Sequence, residues 1–113
     1  MATLGIAFPI LPGKGEELKR LGQELAGARR DELVQTNRRL GLRTENWYLQ
    51  STPMGQMVIV YLEGDDPVRS FQDLASSQTP FHTWFKEQVQ AISGIDFNQP
   101  PPAYPEQVLE WKE

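Results

Sequence analysis

Leu4, Ile6, Phe8 and Ile10 alternate with Thr3, Gly5, Ala7 and Pro9, the two-residue period of a strand over residues 3–10. The second set is small, so another element can approach that side closely. Pro12-Gly13 breaks the strand, and a helix is predicted to begin near Lys14 or Glu16. From there to Leu40 there is no proline, and Leu18, Leu21, Leu25, Ala28, Leu33, Thr36 and Leu40 form a helical stripe whose spacing slips by one residue at Leu33. Gly22 and Gly27 weaken this helix by about 1 kcal/mol each relative to alanine, so packing must supply its stability. Gly41 supplies its stop.

Residues 43–52 and 57–63 read as two strands around Pro53-Met54-Gly55-Gln56, the strongest hairpin signal in the chain. A turn at Met54-Gly55 sets Tyr48 opposite Tyr61, Gln50 opposite Ile59, Trp47 opposite Leu62 and Leu49 opposite Val60. One face then carries Trp47, Leu49, Val58, Val60 and Leu62, and the other Tyr48, Gln50, Met57, Ile59 and Tyr61. Asp66-Pro67 and Thr79-Pro80 each pair an N-cap residue with a proline suited to the first helical position. The first opens a helix with Val68, Phe71, Leu74 and Ala75 on one stripe. The second opens one with Phe81, Trp84, Phe85, Gln88, Val89 and Ile92, closed by Ser93-Gly94-Ile95. Residues 98–105 are a proline-rich, polyproline-like connector, and residues 107–111 read as a last strand with Leu109 and Trp111 on one face.

Strand, long helix, hairpin, broken helix and strand make a βαββαβ order, an α+β ferredoxin-like domain with one antiparallel sheet and helices on a single face. Residues 1–113 form one such domain. Apolar residues on both faces of the hairpin then imply a second copy against the uncovered face, a homodimer through Tyr48, Gln50, Met57, Ile59 and Tyr61.

Composition removes several function classes. With no cysteine, there is no disulfide, thiolate nucleophile or zinc–cysteine site. The net charge of −4 divides unevenly, residues 1–43 carrying +3 and residues 44–113 carrying −7. The positives alternate with Glu16, Glu17, Glu24, Asp31 and Glu32 along the predicted first helix, which reads as a solvated, salt-laced surface. A polyanion partner is therefore the minor alternative, and no nucleic acid or membrane partner is expected. Residues 1–9 show no basic region or long apolar run of a signal peptide, and no stretch approaches the roughly 18 apolar residues of a membrane span; a cytoplasmic location is expected.

The N-terminal strand ending in Pro12-Gly13-Lys14, the Arg/Glu-rich helix, and Thr79-Pro80-Phe81-His82-Thr83-Trp84-Phe85-Lys86-Glu87 running on to Ile92-Ser93-Gly94-Ile95-Asp96-Phe97 carry a resemblance. They look like a family of small uncharacterised bacterial proteins similar in fold to the dimeric α+β barrels, which include the antibiotic-biosynthesis monooxygenases. The resemblance implies fold and dimerisation. It implies no activity, since that superfamily hosts many.

His82, the single histidine, lies in the first turn of a predicted helix, where the dipole favours the neutral imidazole of a base or ligand. Trp47, Tyr48, Tyr61, Trp84 and Phe85 join it as candidate walls of an apolar pocket, and Trp111 adds to the aromatic supply. Asn46, Trp84 and His82 match residue types used by cofactor-free monooxygenases of the barrel superfamily, but not their motif. Arg38, Arg39 and Arg43 suit a helix C-terminus, with an anion site as the alternative; Asp65-Asp66 is at most half a metal site. No phosphate loop, serine elbow or paired-histidine zinc helix is present, and no cofactor is implied. The expected function is binding of a small hydrophobic or aromatic molecule between sheet and helices. The alternative is a cofactor-independent monooxygenase or isomerase with His82 as acid/base.

Overall fold

The computed structural model describes residues 2–99 and 103–113. The elements run β1 (Ala2–Pro9), α1 (Gly15–Ala26), α2 (Arg30–Arg39), β2 (Leu42–Thr52), β3 (Gly55–Gly64), α3 (Pro67–Ser76) and α4 (Pro80–Ser93). The strands form one antiparallel sheet in the order β1-β3-β2.

This corrects the expected ferredoxin-like βαββαβ fold. Residues 103–113 form no strand, and the described part of the chain has three strands and four helices. Leu109 and Trp111 are 79% and 77% exposed, so the short alternation there buries nothing. Pro105 lacks a donor, and the segment's Glu106, Glu110 and Glu113 are exposed, Glu110 meeting only the nearby Lys112 at 3.6 Å. The centre of the expected proline-rich connector, Pro100 to Pro102, lies outside the described residues.

The expected long helix is two. Gly27 leaves helical geometry, and the N–H groups of both Gly27 and Arg29 turn back to the Glu24 carbonyl at 3.3 and 2.9 Å. The one-residue slip at Leu33 is the mark of this break: the chain re-enters helix with its apolar stripe rephased. Arg29 holds the corner through Glu24 at 2.9 Å and Glu32 at 3.2 Å.

The hairpin turn falls one residue earlier than predicted. Thr52 pairs with Gly55, so Pro53-Met54 make the turn, and Tyr48 faces Ile59, Gln50 faces Met57, Trp47 faces Val60 and Leu49 faces Val58. The Thr52 hydroxyl fixes this, donating to the Gly55 carbonyl at 2.7 Å and accepting from Met54 N at 3.1 Å. Because the partners shift by two, each side chain keeps its predicted face.

Val58, with Phe8, Trp47, Leu49 and Val60 beside it, packs on Leu18, Leu21 and Leu25 of α1 and Phe81, Phe85 and Ile92 of α4. A second cluster, Leu4, Leu42 and Leu62, is covered by Val68 of α3 and by Tyr104. Asp66 and Thr79 cap α3 and α4 as predicted, accepting from Arg69 N and His82 N. Gly94 ends α4 at φ +77°. The other sheet face, with Tyr48 56% and Ile59 37% exposed, carries no helix, so its apolar residues stay open to solvent. No helix among the described residues is long and apolar enough to cross a membrane.

Candidate functional site

Packing of α1, α2, α3 and α4 on one sheet face leaves a cavity of about 90 Å³. Its walls are mostly aliphatic and aromatic: Phe8, Trp47, Val58 and Val60 from the sheet, Leu33 from α2, Phe71 and Leu74 from α3, and Phe81, Phe85 and Val89 from α4. Five polar residues interrupt this lining, Asn37, Glu45, Ser70, His82 and Ser93. Four of them are committed to neighbours. Ser70 donates to the carbonyls of Leu40 and Asp66, and Ser93 to that of Val89 at 2.7 Å. Asn37 donates to Glu45 Oε1 at 2.8 Å.

His82 is 6% exposed and lines this cavity. Thr79, as N-cap, fixes the first turn of α4, and the same corner brings Ser77 Oγ to 2.7 Å from His82 Nδ1. Nδ1 is thereby occupied, and Nε2 has no protein partner among the described residues. Burial and the neighbouring Lys86 ammonium push the His82 pKa below the ordinary histidine value. Lys86 is itself held by the carbonyls of Ala75 at 3.0 Å and Ser77 at 2.7 Å. Chemically this is a neutral imidazole with one free nitrogen at an apolar wall: a hydrogen-bonding group or a proton acceptor. Ser77 and His82 have no carboxylate on the ring to complete an acyl-transfer triad.

The lowered pKa has a consequence for stability. The unfolded chain takes up a proton at histidine near pH 6.5, and the folded chain does so only at lower pH, so stability falls as pH drops through and below 6.5. Melting temperature is expected to decrease between pH 7 and pH 5, and His82→Gln to flatten that decrease; an unchanged slope in the variant would refute the account.

Of the predicted pocket residues, the fold brings Trp47, His82 and Phe85 to the cavity. Tyr48 lines a second, open groove of about 410 Å³ with Gly22, Leu25 and Ala26 of α1, Leu33, Glu45, Asn46 and Trp47. Tyr61 lies on the uncovered sheet face, opposite Gly5. Trp84 lines neither space; it packs against the core with Phe81 at 5.8 Å and carries the Arg29 guanidinium 3.9 Å from its ring centre. Asn46, Trp84 and His82 are therefore not one constellation. Trp111 is exposed. Arg43 reaches Asp65 at 3.5 Å, Asp66 caps α3, and no group of three or more His, Cys, Asp or Glu fit to hold a metal occurs among the described residues.

Sequence reasoning missed Glu45, Ser77 and Lys86. Glu45 had a signal: it shares strand parity with Trp47 and Leu49, so the pattern places a carboxylate on the core-facing side. Ser77 and Lys86 had none, since their roles depend on the angle between α3 and α4. No family model, curated protein or solved structure matches this chain.

Proposed function

We propose that the protein binds a small apolar molecule between its sheet and helices and works as a homodimer. The observation that supports binding is the cavity itself: a partly open pocket of about 90 Å³ between sheet and helices with an almost wholly apolar wall. A void of that kind disfavours water and favours hydrocarbon. Its size is below the roughly 150 Å³ of a cavity that admits benzene, so the part of a ligand lying inside is a short alkyl group or the end of a longer molecule. The test is titration with short-chain hydrocarbons and alcohols followed by methyl and indole NMR shifts. Val58→Phe, which places a ring in the space, is expected to weaken binding at least tenfold while the chain still melts cooperatively. Equal binding by that variant would refute the assignment.

The dimer reading rests on the uncovered sheet face. Between Gly5 and Pro9 on β1, Asn46 and Gln50 on β2, and Met57 and Tyr61 on β3, that face bears no charge; Glu63, opposite Thr3, lies on the same face beyond this patch, so a second copy meets the patch without repulsion only where its own Glu63 stays clear. Tyr48 protrudes, and at Gly5 a side chain would meet nothing within 4 Å. Sheet-to-sheet packing can then seat the protruding Tyr48 of one copy against the small residues Gly5 and Ala7 of the other. Light scattering is expected to give twice the chain mass at micromolar concentration, and Tyr48→Glu to give a monomer; a wild-type monomer would end this reading.

A second reading, acid/base catalysis by His82, is favoured by the free Nε2 of a neutral imidazole at the cavity wall. It predicts deuterium exchange from solvent into an acidic C–H of a bound ketone, lost in His82→Gln. No exchange above the solvent rate would exclude it.

A further inference from the structure

Leu33, Glu45 and Trp47 line both the core cavity and the open groove along the free edge of β2. The two spaces thus adjoin at these side chains, of which Trp47 is the largest. The indole is latched: its Nε1–H donates to Glu45 Oε2 at 2.8 Å, while Asn37 donates to the other carboxylate oxygen at 2.8 Å. On the cavity side the ring meets Phe85, with centroids 6.0 Å apart. The groove, at about 410 Å³, falls in the size range of small-molecule sites, roughly 300–1,000 Å³, whereas the cavity alone does not.

Charge decides what fits. Glu45 is the one charged residue lining either space. The C-terminal turn of α1, the negative end of its dipole, borders the groove through Leu25 and Ala26 and has no basic residue. Arg29, close by in sequence, is engaged by Glu24, Glu32 and the Trp84 ring. A carboxylate head in the groove would face Glu45 with no cation among the lining residues, the exposed Arg30 at the start of α2 standing outside that lining; an ammonium or a hydroxyl would find an acceptor.

We propose that cavity and groove form one site for an amphiphile with a neutral or cationic head, its tail in the cavity and its head in the groove beside Glu45, and that Trp47 is the gate between them. The proposal rests on the ligand-binding reading above and adds the ligand's class and route of entry. Swinging the indole aside breaks its bond to Glu45 and joins the two spaces, and a donor on the ligand replaces the lost N–H.

The experiment compares n-octylamine, n-octanol and octanoate, each below its aggregation concentration, binding to the full chain at neutral pH by calorimetry, with the Trp47 indole N–H followed by NMR. Octylamine and octanol are expected to bind and to shift the Trp47 signal, with octanoate at least about tenfold weaker. Glu45→Gln, which keeps the size and an acceptor, is expected to bring octanoate to within about twofold of octanol. Octanoate binding as tightly as octylamine to the wild-type chain would overturn the proposal without needing any variant, and so would an unchanged order in Glu45→Gln. If none of the three binds, the ligand-binding reading itself fails; if all bind alike, that reading stands and the head-group selection falls.

Discussion

Gly64→Ala is expected to lower the melting temperature by on the order of 10–20 °C, a loss of about 2–3 kcal/mol. Gly64 ends β3 where it is paired on both sides, with Ala2 of β1 and Leu42 of β2. A methyl group there would collide with the Gly41 carbonyl oxygen, with Leu42 Cα at 3.1 Å and Gly41 C at 3.2 Å close behind. All three are backbone atoms. They cannot rotate away, and the carbonyl is also tied to Asp65 N at 3.2 Å. Gly5→Ala is the control: the added carbon meets nothing within 4 Å, and replacing a strand glycine gains about 0.5–1 kcal/mol in the monomer. Thermal melts of the two variants should therefore diverge widely. A Gly64→Ala protein melting within about 2 °C of the parent would show that the β2–β3 register at this end is wrong.

Phe85→Ala is the second large effect, at about 3–5 kcal/mol. Phe85 is buried on α4 between Trp47 at 6.0 Å and Phe81 at 6.3 Å, and it forms part of the cavity wall. Truncation removes those ring contacts and enlarges the void past the size, about 150 Å³, that admits benzene. Two outcomes are then coupled. Denaturation midpoints should fall sharply, and benzene should restore part of the loss in this variant while leaving the wild-type chain nearly unaffected, because a ligand binding only the folded state raises stability with its concentration. A variant that is destabilised yet indifferent to benzene would mean that the helices collapse into the space, and that the wild-type void is not held open by its walls.

Much of the local structure was readable because it depends on neighbours in the chain. Asp66-Pro67 and Thr79-Pro80 start helices because cap and proline act within one turn, and the alternation in β1, β2 and β3 assigned their faces correctly. Errors arose where the deciding interaction was not periodic. The Thr52 hydroxyl moved the turn by one residue, and the break at Gly27 showed in sequence only as a slip at Leu33. Residues 107–111 had the alternation of a strand over too few positions to bury anything, which is why the ferredoxin-like prediction failed. In the site, Trp47 and Phe85 were legible as part of the aromatic supply and His82 as the histidine of a helix's first turn. Trp84 was not separable from them, because it follows the same helical spacing and only the packing of the α1–α2 corner, with Arg29 over its ring, takes it out of both spaces. The Glu45 latch was legible in parity, yet only the placement of Asn37 on α2 turns that carboxylate into a hinge for Trp47.

The space between Phe8, Val58, Phe85 and Val89 is an apolar pocket that a ligand can enter. Crystals pressurised with xenon test it most directly, since xenon seeks dry cavities and needs no knowledge of the natural ligand. One strong xenon site is expected within contact distance of those four side chains, absent in Val58→Phe. Xenon found only on the exposed sheet face, or none bound at all, would contradict it.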